Sequence, residues 1–448
     1  MRKLIQIDSR EAGAGKTTEG IYPRVRELFG RGQQILIVVP SVRLQEQYSS
    51  GLSDLRNNMV VINSGNANAV TESLIGALYR NESIIIITHQ AFRQTVIPYD
   101  LKSKYHLIID EALDPWSVEE VKASTDELVS LSKAFSISES ERCNQYALLT
   151  RSGVSSSLLD GRQWKTLMSA NNDLYVDIDS WNQASDVSGN RQKIYIYVQL
   201  SQSIMERWRS IWVAAAAFDK TFMHIWFDLI GYEQEFVHEF SRHKRNIHIY
   251  THKDFTWSRD TRKRQPLVLT EFLRQVDTTR GVESILMLKN NDEVQCITNS
   301  TKLEHNAHGI NEFSHHTNIC LASAINPSPA YKGFLTNRLA SSDIGFTWTD
   351  GDVEKFIVGA FTAYNFYQLV MRTNLRVRGS DQLVRVFVLD SRVAVAFSDY
   401  FEIDNPVRQY HFWDSSYIKP AKKAPMTGAE RKRRHSAKKR LLDANKSQ

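Results

Sequence analysis

Cysteine is scarce in this chain: three residues in 448, Cys143, Cys296 and Cys320, an odd number with no C-x-x-C pair. That excludes a disulfide framework and a zinc knuckle and implies a reducing compartment. Long apolar runs are lacking too. The apolar runs, IIII at 84–87 and WVAAAAF at 212–218 among them, are strand-sized, well short of the ~20 residues a bilayer-crossing helix needs. After the basic start MRK the apolar stretch LIQI is too short for a secretory leader and charges and glycines follow it, so a cytoplasmic protein without a membrane partner is expected. His308, His315 and His316 lack the matched Cys, His or carboxylate companions of a zinc site.

What is present is ordinary globular material, 42% hydrophobic and 24% charged, long enough for two or three domains. Charge, however, is unevenly placed. The formal net charge is +6, yet the thirty residues from Lys419 to Gln448 hold eleven basic and two acidic side chains, a net of +9 that leaves −3 for the rest. Dense like charge with Pro, Gly and Ser resists packing, so residues 413–448 are expected to form a flexible basic tail. Arg431, Arg433 and Arg434 would hold a polyanion there through counterion release.

The first 120 residues alternate strand-like runs (KLIQID, QILIVVP, MVVIN, SIIIITH, YHLIID) with helical patterns. Runs apolar on both faces with helical crossovers predict a parallel sheet covered on both sides, an α/β domain. Residues 121–209 turn polar and rich in Ser and Asn, with one alternating run, KIYIYVQL, and are expected to be an insertion or helical subdomain. Residues 210–229 read as a return strand of the first domain and a linker. NIHIYTH, VQCITNS, NICLASAIN and VRVFVLD then predict a second α/β domain over 230–412, with a helix-like segment, VEKFIVGAFTAYNFYQLVMRTNLRV, before its last strand.

The strongest chemical signal is Ala12-Gly13-Ala14-Gly15-Lys16-Thr17-Thr18, between the strand LIQID and a helix. Glycines there let backbone N–H groups face a phosphate, and the helix N-terminus adds a favourable dipole. Lys16 would reach the β and γ phosphates, and the Thr17 hydroxyl would ligate magnesium. Arg10 occupies the position usually held by Gly or Ala. About ninety residues on, the strand YHLII ends in Asp110 and Glu111. Behind a phosphate loop, Asp110 is suited to hold the metal and Glu111 to polarise the attacking water.

With these two motifs in place, the chain resembles the superfamily 2 helicases, GAGKT corresponding to their motif I and DEA to a variant of the DEAD or DEAH box. IVVPSVRLQEQ (37–47) is similar to motif Ia, and IITHQAF (86–92) to the segment that touches a nucleic-acid backbone. WVAAAAF stands at motif III without its hydroxyls, CITNSTK (296–302) looks like motif IV, and 308–329 looks like motif V. Gln368, Arg372 and Arg376 are similar to motif VI, in a spacing closer to DEAD/DEAH-like helicases carried by phages and plasmids.

The resemblance implies two RecA-like parallel-sheet domains with ATP and Mg2+ between them, Gln368, Arg372 and Arg376 completing the site from the second. Arginines four apart share one helix face, from which one or both would act as fingers. Ser41, Arg43, Thr88 and His89 are expected to contact the nucleic-acid backbone. The implied activity is a nucleic-acid-stimulated ATPase and helicase, acting on DNA more than RNA, with replication or recombination proteins as partners. Rival readings are a terminase-type packaging ATPase, its nuclease metals held by acids such as Asp343, Asp350, Asp352 and Asp390, and a clamp that binds ATP without turnover.

Overall fold

The computed structural model describes residues 3–65, 69–123, 131–143, 145–152, 166–186, 192–252, 255–258, 261, 263, 266–288, 297–304, 312–323, 325–340, 349–402 and 408–410. The N-terminal half builds β1 (Lys3–Asp8), β2 (Gln34–Val39), β3 (Met59–Val61), β4 (Ile84–Thr88) and β5 (Tyr105–Asp110). An antiparallel unit follows: β6 (Trp116–Ala123), β7 (Phe135–Cys143), β8 (Tyr146–Arg151), β9 (Asn172–Asp177) and β10 (Gln192–Leu200). The chain then returns through β11 (Ser210–Ala214) and β12 (Tyr232–His238). The second half holds β13 (His243–Lys244), β14 (Ile247–His252), β15 (Ile285–Leu288), β16 (Ser300–Lys302), β17 (Asn318–Leu321), β18 (Val384–Val388), β19 (Phe401–Glu402) and β20 (Arg408–Tyr410).

Two parallel sheets form the frame, in the manner of two RecA-like domains. The first runs β12-β1-β11-β5-β2-β4-β3 and the second β16-β15-β17-β18-β14-β20. The period-2 alternation of strand side chains divides each into two packed faces. Ile85, Ile87, Leu107 and Ile109 enter one core, and Ile84, Ile86 and Ile108 the opposite one. In the second sheet Ile319 and Leu321 face one way, Cys320 and Phe387 the other. Strands covered on both sides are why these runs are apolar throughout.

Residues 121–209, read as an insertion or a helical subdomain, are mainly strand where described, with a helix at Ile178–Asp186. Their principal element is the antiparallel sheet β6-β10-β9-β8-β7, because alternating residues in β8, β9 and β10 give each strand two usable faces. Leu174, Val176, Ile194, Ile196 and Val198 form a small core on one face. Tyr146, Tyr175 and Tyr197 cover the other. Onto these tyrosines packs the helix Pro329–Ala340, its Phe334 ring stacked on Tyr197 at 4.6 Å and 7° and edge-on to Tyr146 at 5.3 Å. Tyr331, Phe334, Leu335 and Leu339, with Val353 and Ile357 of the helix Asp350–Val358, lie in the same core as the first sheet's Ile5, Ile7 and Leu107. A strap from the second half is thus built into the first. β12, within the 230–412 segment, likewise pairs with β1.

The long helix read over 353–377 is interrupted. It runs Asp350–Val358, a π-helical turn Gly359–Ala363, and Tyr364–Val370. After Val370 the chain leaves helical geometry: Thr373 is extended (φ −77°, ψ −168°) and its hydroxyl accepts the Leu375 N–H, opening a short 3₁₀ turn at Asn374–Arg376. Arg372 and Arg376 therefore do not share a helix face; a Thr cap competes with helix continuation at this point. Of the strand read over VQCITNS, residues 294–296 lie outside the described residues, and pairing begins only at Ser300. No described helix is long and apolar enough to cross a membrane.

Candidate active site

In a parallel sheet the carboxyl ends of the strands share one edge, where ligands bind. Here register brings Asp8 of β1 opposite Ala214 of β11, and Ala214 opposite Asp110 of β5. The phosphate-type loop and the acidic pair, a hundred residues apart in the chain, are thus next-but-one neighbours in space.

The loop departs from β1 and turns through Gly13 (φ 84°) and Gly15 (φ 79°), left-handed conformations that favour glycine. Gly13 also permits close approach: a Cβ there would stand 3.1 Å from Arg376 Cγ. Lys16 is buried, its ammonium donating to the carbonyls of Arg10 and Glu11 at 3.0 Å each. Burial lowers its pKa, opposed by the charges of Glu111, Asp110 and Asp8. Arg10 does not enter the site. It turns back on the fully buried Asp8 in a two-pronged pair, Nε to Oδ1 at 2.9 Å and Nη2 to Oδ2 at 2.6 Å, and contributes only its carbonyl to Lys16.

Asp110 is also buried, and that burial, reinforced by Glu111, pushes its carboxyl up to about 7, against the pull of Tyr48, Lys16 and Arg372. Its carbonyl is 2.9 Å from His89 Nε2. Glu111 adopts φ 67°, rare for a residue with a Cβ, while its N–H donates to Ala214 O at 2.9 Å. The alanine run after β11 also donates Ala215 N–H to Asp8 O and Ala217 N–H to Ser9 O, both at 3.1 Å. The link between the loop strand and the segment after β11 is mostly backbone, with one hydroxyl in it: Ser9 Oγ accepts the Phe218 N–H at 2.8 Å.

From the second half, Gln368 donates Nε2 to Glu111 Oε2 at 3.3 Å. Arg372 and Arg376 are largely buried on the same side, each felt by Glu111. The result is a cleft of about 230 Å³ lined by Ala12, Gly13, Gly15, Lys16, Thr17, Thr18, Asp110, Glu111, Gln368, Arg372 and Arg376, with Leu44, Gln47 and Met371. Of the residues singled out for catalysis, nucleotide and metal, Ala14 alone is absent from that lining; it is buried, with its N–H on Glu11 O at 3.1 Å. Thr17 and Asp110 suit a divalent cation by chemistry, a hydroxyl and a buried carboxylate in one cleft with a lysine beside them.

Of the residues expected to touch nucleic acid, Ser41, Arg43, Thr88 and His89 each have a partner within the protein. Ser41 and Thr88 each cap a helix, their hydroxyls accepting the N–H of Leu44 at 3.3 Å and of Ala91 at 3.2 Å. Arg43 pairs with Glu312 across the two halves. All four sit at or just beyond the carboxyl ends of β2 and β4, on the cleft's edge of the sheet. Arg431, Arg433, Arg434 and His308 lie outside the described residues. His316 is buried, near Ser284 Oγ at 3.2 Å.

Sequence reasoning missed Tyr367, His243, Leu44, Gln47, Met371 and the Asp8–Arg10 pair. Asp8 two residues before Arg10 at a strand end was a usable signal; Tyr367 opened the stretch similar to motif VI, but nothing in the sequence tied its hydroxyl to Ala12 or His243.

No protein-family model matches the chain, and no curated protein matches it. Among solved structures the chain is similar to an apo XPD structure (13% identity, TM-score 0.49, 90% of this chain and 96% of that one). It is similar to S. tokodaii Xpd4 (10%, 0.45, 91% and 96%), and to T4 UvsW (10%, 0.26, 87% and 64%).

Proposed function

We propose that this protein is a nucleic-acid-stimulated ATPase of the helicase or translocase kind, working on DNA more than RNA, with ATP bound between its two sheets. The observation that carries this reading is the single cleft lined by the loop lysine, the strand-end acids and two arginines from the other half.

The loop N–H groups and Lys16 would bind the β and γ phosphates, Lys16 exchanging its two carbonyl partners for phosphate oxygens. Thr17 and Asp110 would hold Mg2+, which would neutralise phosphate charge and relieve the buried carboxylate. Glu111, oriented by Gln368, would polarise the attacking water. Arg376, lying against Gly13, and Arg372 would stabilise charge on the transferred phosphoryl group. Nucleic acid would lie along the edge holding Ser41, Arg43, Thr88 and His89, with the basic tail as a second, sequence-independent grip. Closure around ATP and reopening after hydrolysis would shift that grip along one strand.

The nuclease reading finds its acids engaged elsewhere. Asp390 accepts the Trp257 N–H at 2.9 Å and pairs with Arg392, and Asp352 accepts the Thr349 hydroxyl at 2.6 Å. Asp343 lies outside the described residues, as does the side chain of Asp350. The idle-clamp reading leaves Glu111 and its Gln368 contact without a task.

The test is ATP hydrolysis measured with single-stranded DNA, duplex DNA and RNA, followed by strand displacement on tailed duplexes. Lys16→Ala, Glu111→Gln and Arg376→Ala are each expected to lower kcat by about 10²-fold or more, Glu111→Gln while still binding ATP. Hydrolysis at the wild-type rate in Lys16→Ala or Glu111→Gln contradicts the proposal.

A further inference from the structure

Tyr367 is fully buried one residue before Gln368, and its hydroxyl meets two partners from different parts of the molecule. The Ala12 N–H of the phosphate loop lies 2.9 Å away, and His243 Nε2, at the start of the second half, lies 2.8 Å away. A backbone N–H can only donate, so the hydroxyl oxygen accepts from Ala12. Among the described residues its other partner is His243 Nε2, and donation of the phenol proton to that nitrogen satisfies both groups, the histidine then being neutral with its own proton on Nδ1. Its environment agrees: His243 is 3% exposed and burial pushes it down to about 4, while burial keeps the Tyr367 phenol protonated.

The ring is held as firmly as the hydroxyl. Tyr367 stacks on Tyr400 at 4.4 Å and 12°, and stands edge-on to Phe240 at 6.2 Å. Lys220 places its ammonium 4.4 Å over the Tyr400 ring. One residue up the loop, Glu11 Oε2 accepts from the Ser241 hydroxyl at 3.1 Å. Loop positions 11 and 12 are therefore gripped by two elements of the second half. The gripping helix, Tyr364–Val370, carries Gln368 in its last turn and leads directly into Arg372.

We propose that Tyr367, through the chain Ala12 N–H to Tyr367 Oη to His243 Nε2, is a positioning residue that sets the register between the phosphate loop and the arginine-bearing segment. This rests on the reading of the cleft as an ATPase site. Tyr367 contacts no phosphate itself. It acts because displacing its helix from the loop breaks the Ala12 bond, so the arginines reach the γ-phosphate in one arrangement of the two halves.

The experiment is steady-state ATP hydrolysis by the full chain. Tyr367→Phe keeps the stacked ring and removes the hydroxyl. Its kcat is expected to fall about tenfold, the scale of losing two buried hydrogen bonds, with KM for ATP within about twofold. In an Arg372→Ala/Arg376→Ala background the same change is expected to add little, because the arginines it positions are gone. Wild-type turnover in Tyr367→Phe, or a loss that multiplies in full with the double change, overturns the proposal.

If Tyr367→Phe loses its folded circular-dichroism spectrum, the decision passes to His243. His243→Gln, which retains an acceptor, should keep kcat within about threefold, and His243→Leu should show the tenfold loss; equal rates in the two overturn the proposal. Wild-type and Lys16→Ala controls separate the two layers. Turnover that depends on Lys16 but not on Tyr367 removes this inference alone, whereas no Lys16-dependent turnover in the wild type removes the ATPase reading and this inference with it.

Discussion

Arg10 stands where a phosphate loop ordinarily has a small residue, and the conflict is resolved by its side chain turning away to Asp8. A fully buried carboxylate requires a partner, and a guanidinium matching both its oxygens supplies one without putting a positive group among the phosphate ligands. Buried titratable groups elsewhere have consequences that can be measured. His106 lies 2.6 Å from Ser210 Oγ, and burial, then Arg209 and Arg24, push it down to about 4 from 6.5. The unfolded chain takes up a proton near pH 6.5 that the folded chain refuses until about pH 4. The contribution of His106 is therefore complete above pH 6.5 and declines as pH falls toward 4. Asp110, with its raised pKa, works in the opposite sense over part of this range, so the comparison must be with a variant. In urea unfolding, the stability of wild type relative to His106→Asn is expected to drop by roughly 1–2 kcal/mol from pH 7.5 to pH 5.

At the scale of elements, the inserted antiparallel sheet and the helix Pro329–Ala340 are each amphipathic surfaces that need the other. The sheet presents Tyr146, Tyr175 and Tyr197; the helix presents Phe334 into the space between them, and Arg338 lies 5.2 Å over the Tyr175 ring. Arg338 Nε also donates to Gln199 Oε1 at 2.9 Å, the oxygen that accepts Trp116 Nε1 at 3.0 Å. Phe334→Ala is expected to cost about 3–5 kcal/mol, as emptying a buried aromatic site does, read as a lower urea midpoint. Because the strap shares the first sheet's core, the loss should appear in the main unfolding transition; a separate early transition would show the insertion to be an independent unit. The interruption of the helix before Arg372 belongs to this scale as well. Thr373 converts what the residue pattern presents as a continuous helix into a cap and a 3₁₀ turn, and both arginines reach the cleft from that irregular stretch.

For the whole molecule, the two parallel sheets are joined at the cleft by Tyr367 with Ala12, by Gln368 with Glu111 and by Arg43 with Glu312. The strap and β12 tie them again away from it. Gly359–Ala363, a π-helical turn, joins the strap to the Gln368 helix. Charge at this scale is concentrated in the last thirty residues, and a net of +9 is large against −3 elsewhere. Deleting 419–448 is expected to weaken binding to single-stranded DNA and to flatten the slope of log K against log salt by several units, since each neutralised phosphate adds about 0.7 to it on single strands. Fluorescence anisotropy across a salt series measures this. ATP turnover without nucleic acid should be unaffected, and an unchanged slope would show the tail to be no part of the grip.

Much of this was legible in the order of residues. Strands apolar on both faces announce themselves as a parallel sheet, because burial on two sides leaves no room for a polar alternate. The loop at 12–18 and the pair Asp110-Glu111 are readable because each is contiguous, its chemistry carried by neighbours in the chain. What only the tertiary structure decided is whatever depends on two distant segments meeting. That the insertion is a sheet, that a helix from the second half completes the first half's core, that Arg10 is diverted to Asp8, and that Tyr367 touches Ala12 all follow from packing. The physical reason is that local sequence specifies periodicity and backbone preference, whereas the choice of partner is made by whichever complementary surface lies opposite once the sheets have formed.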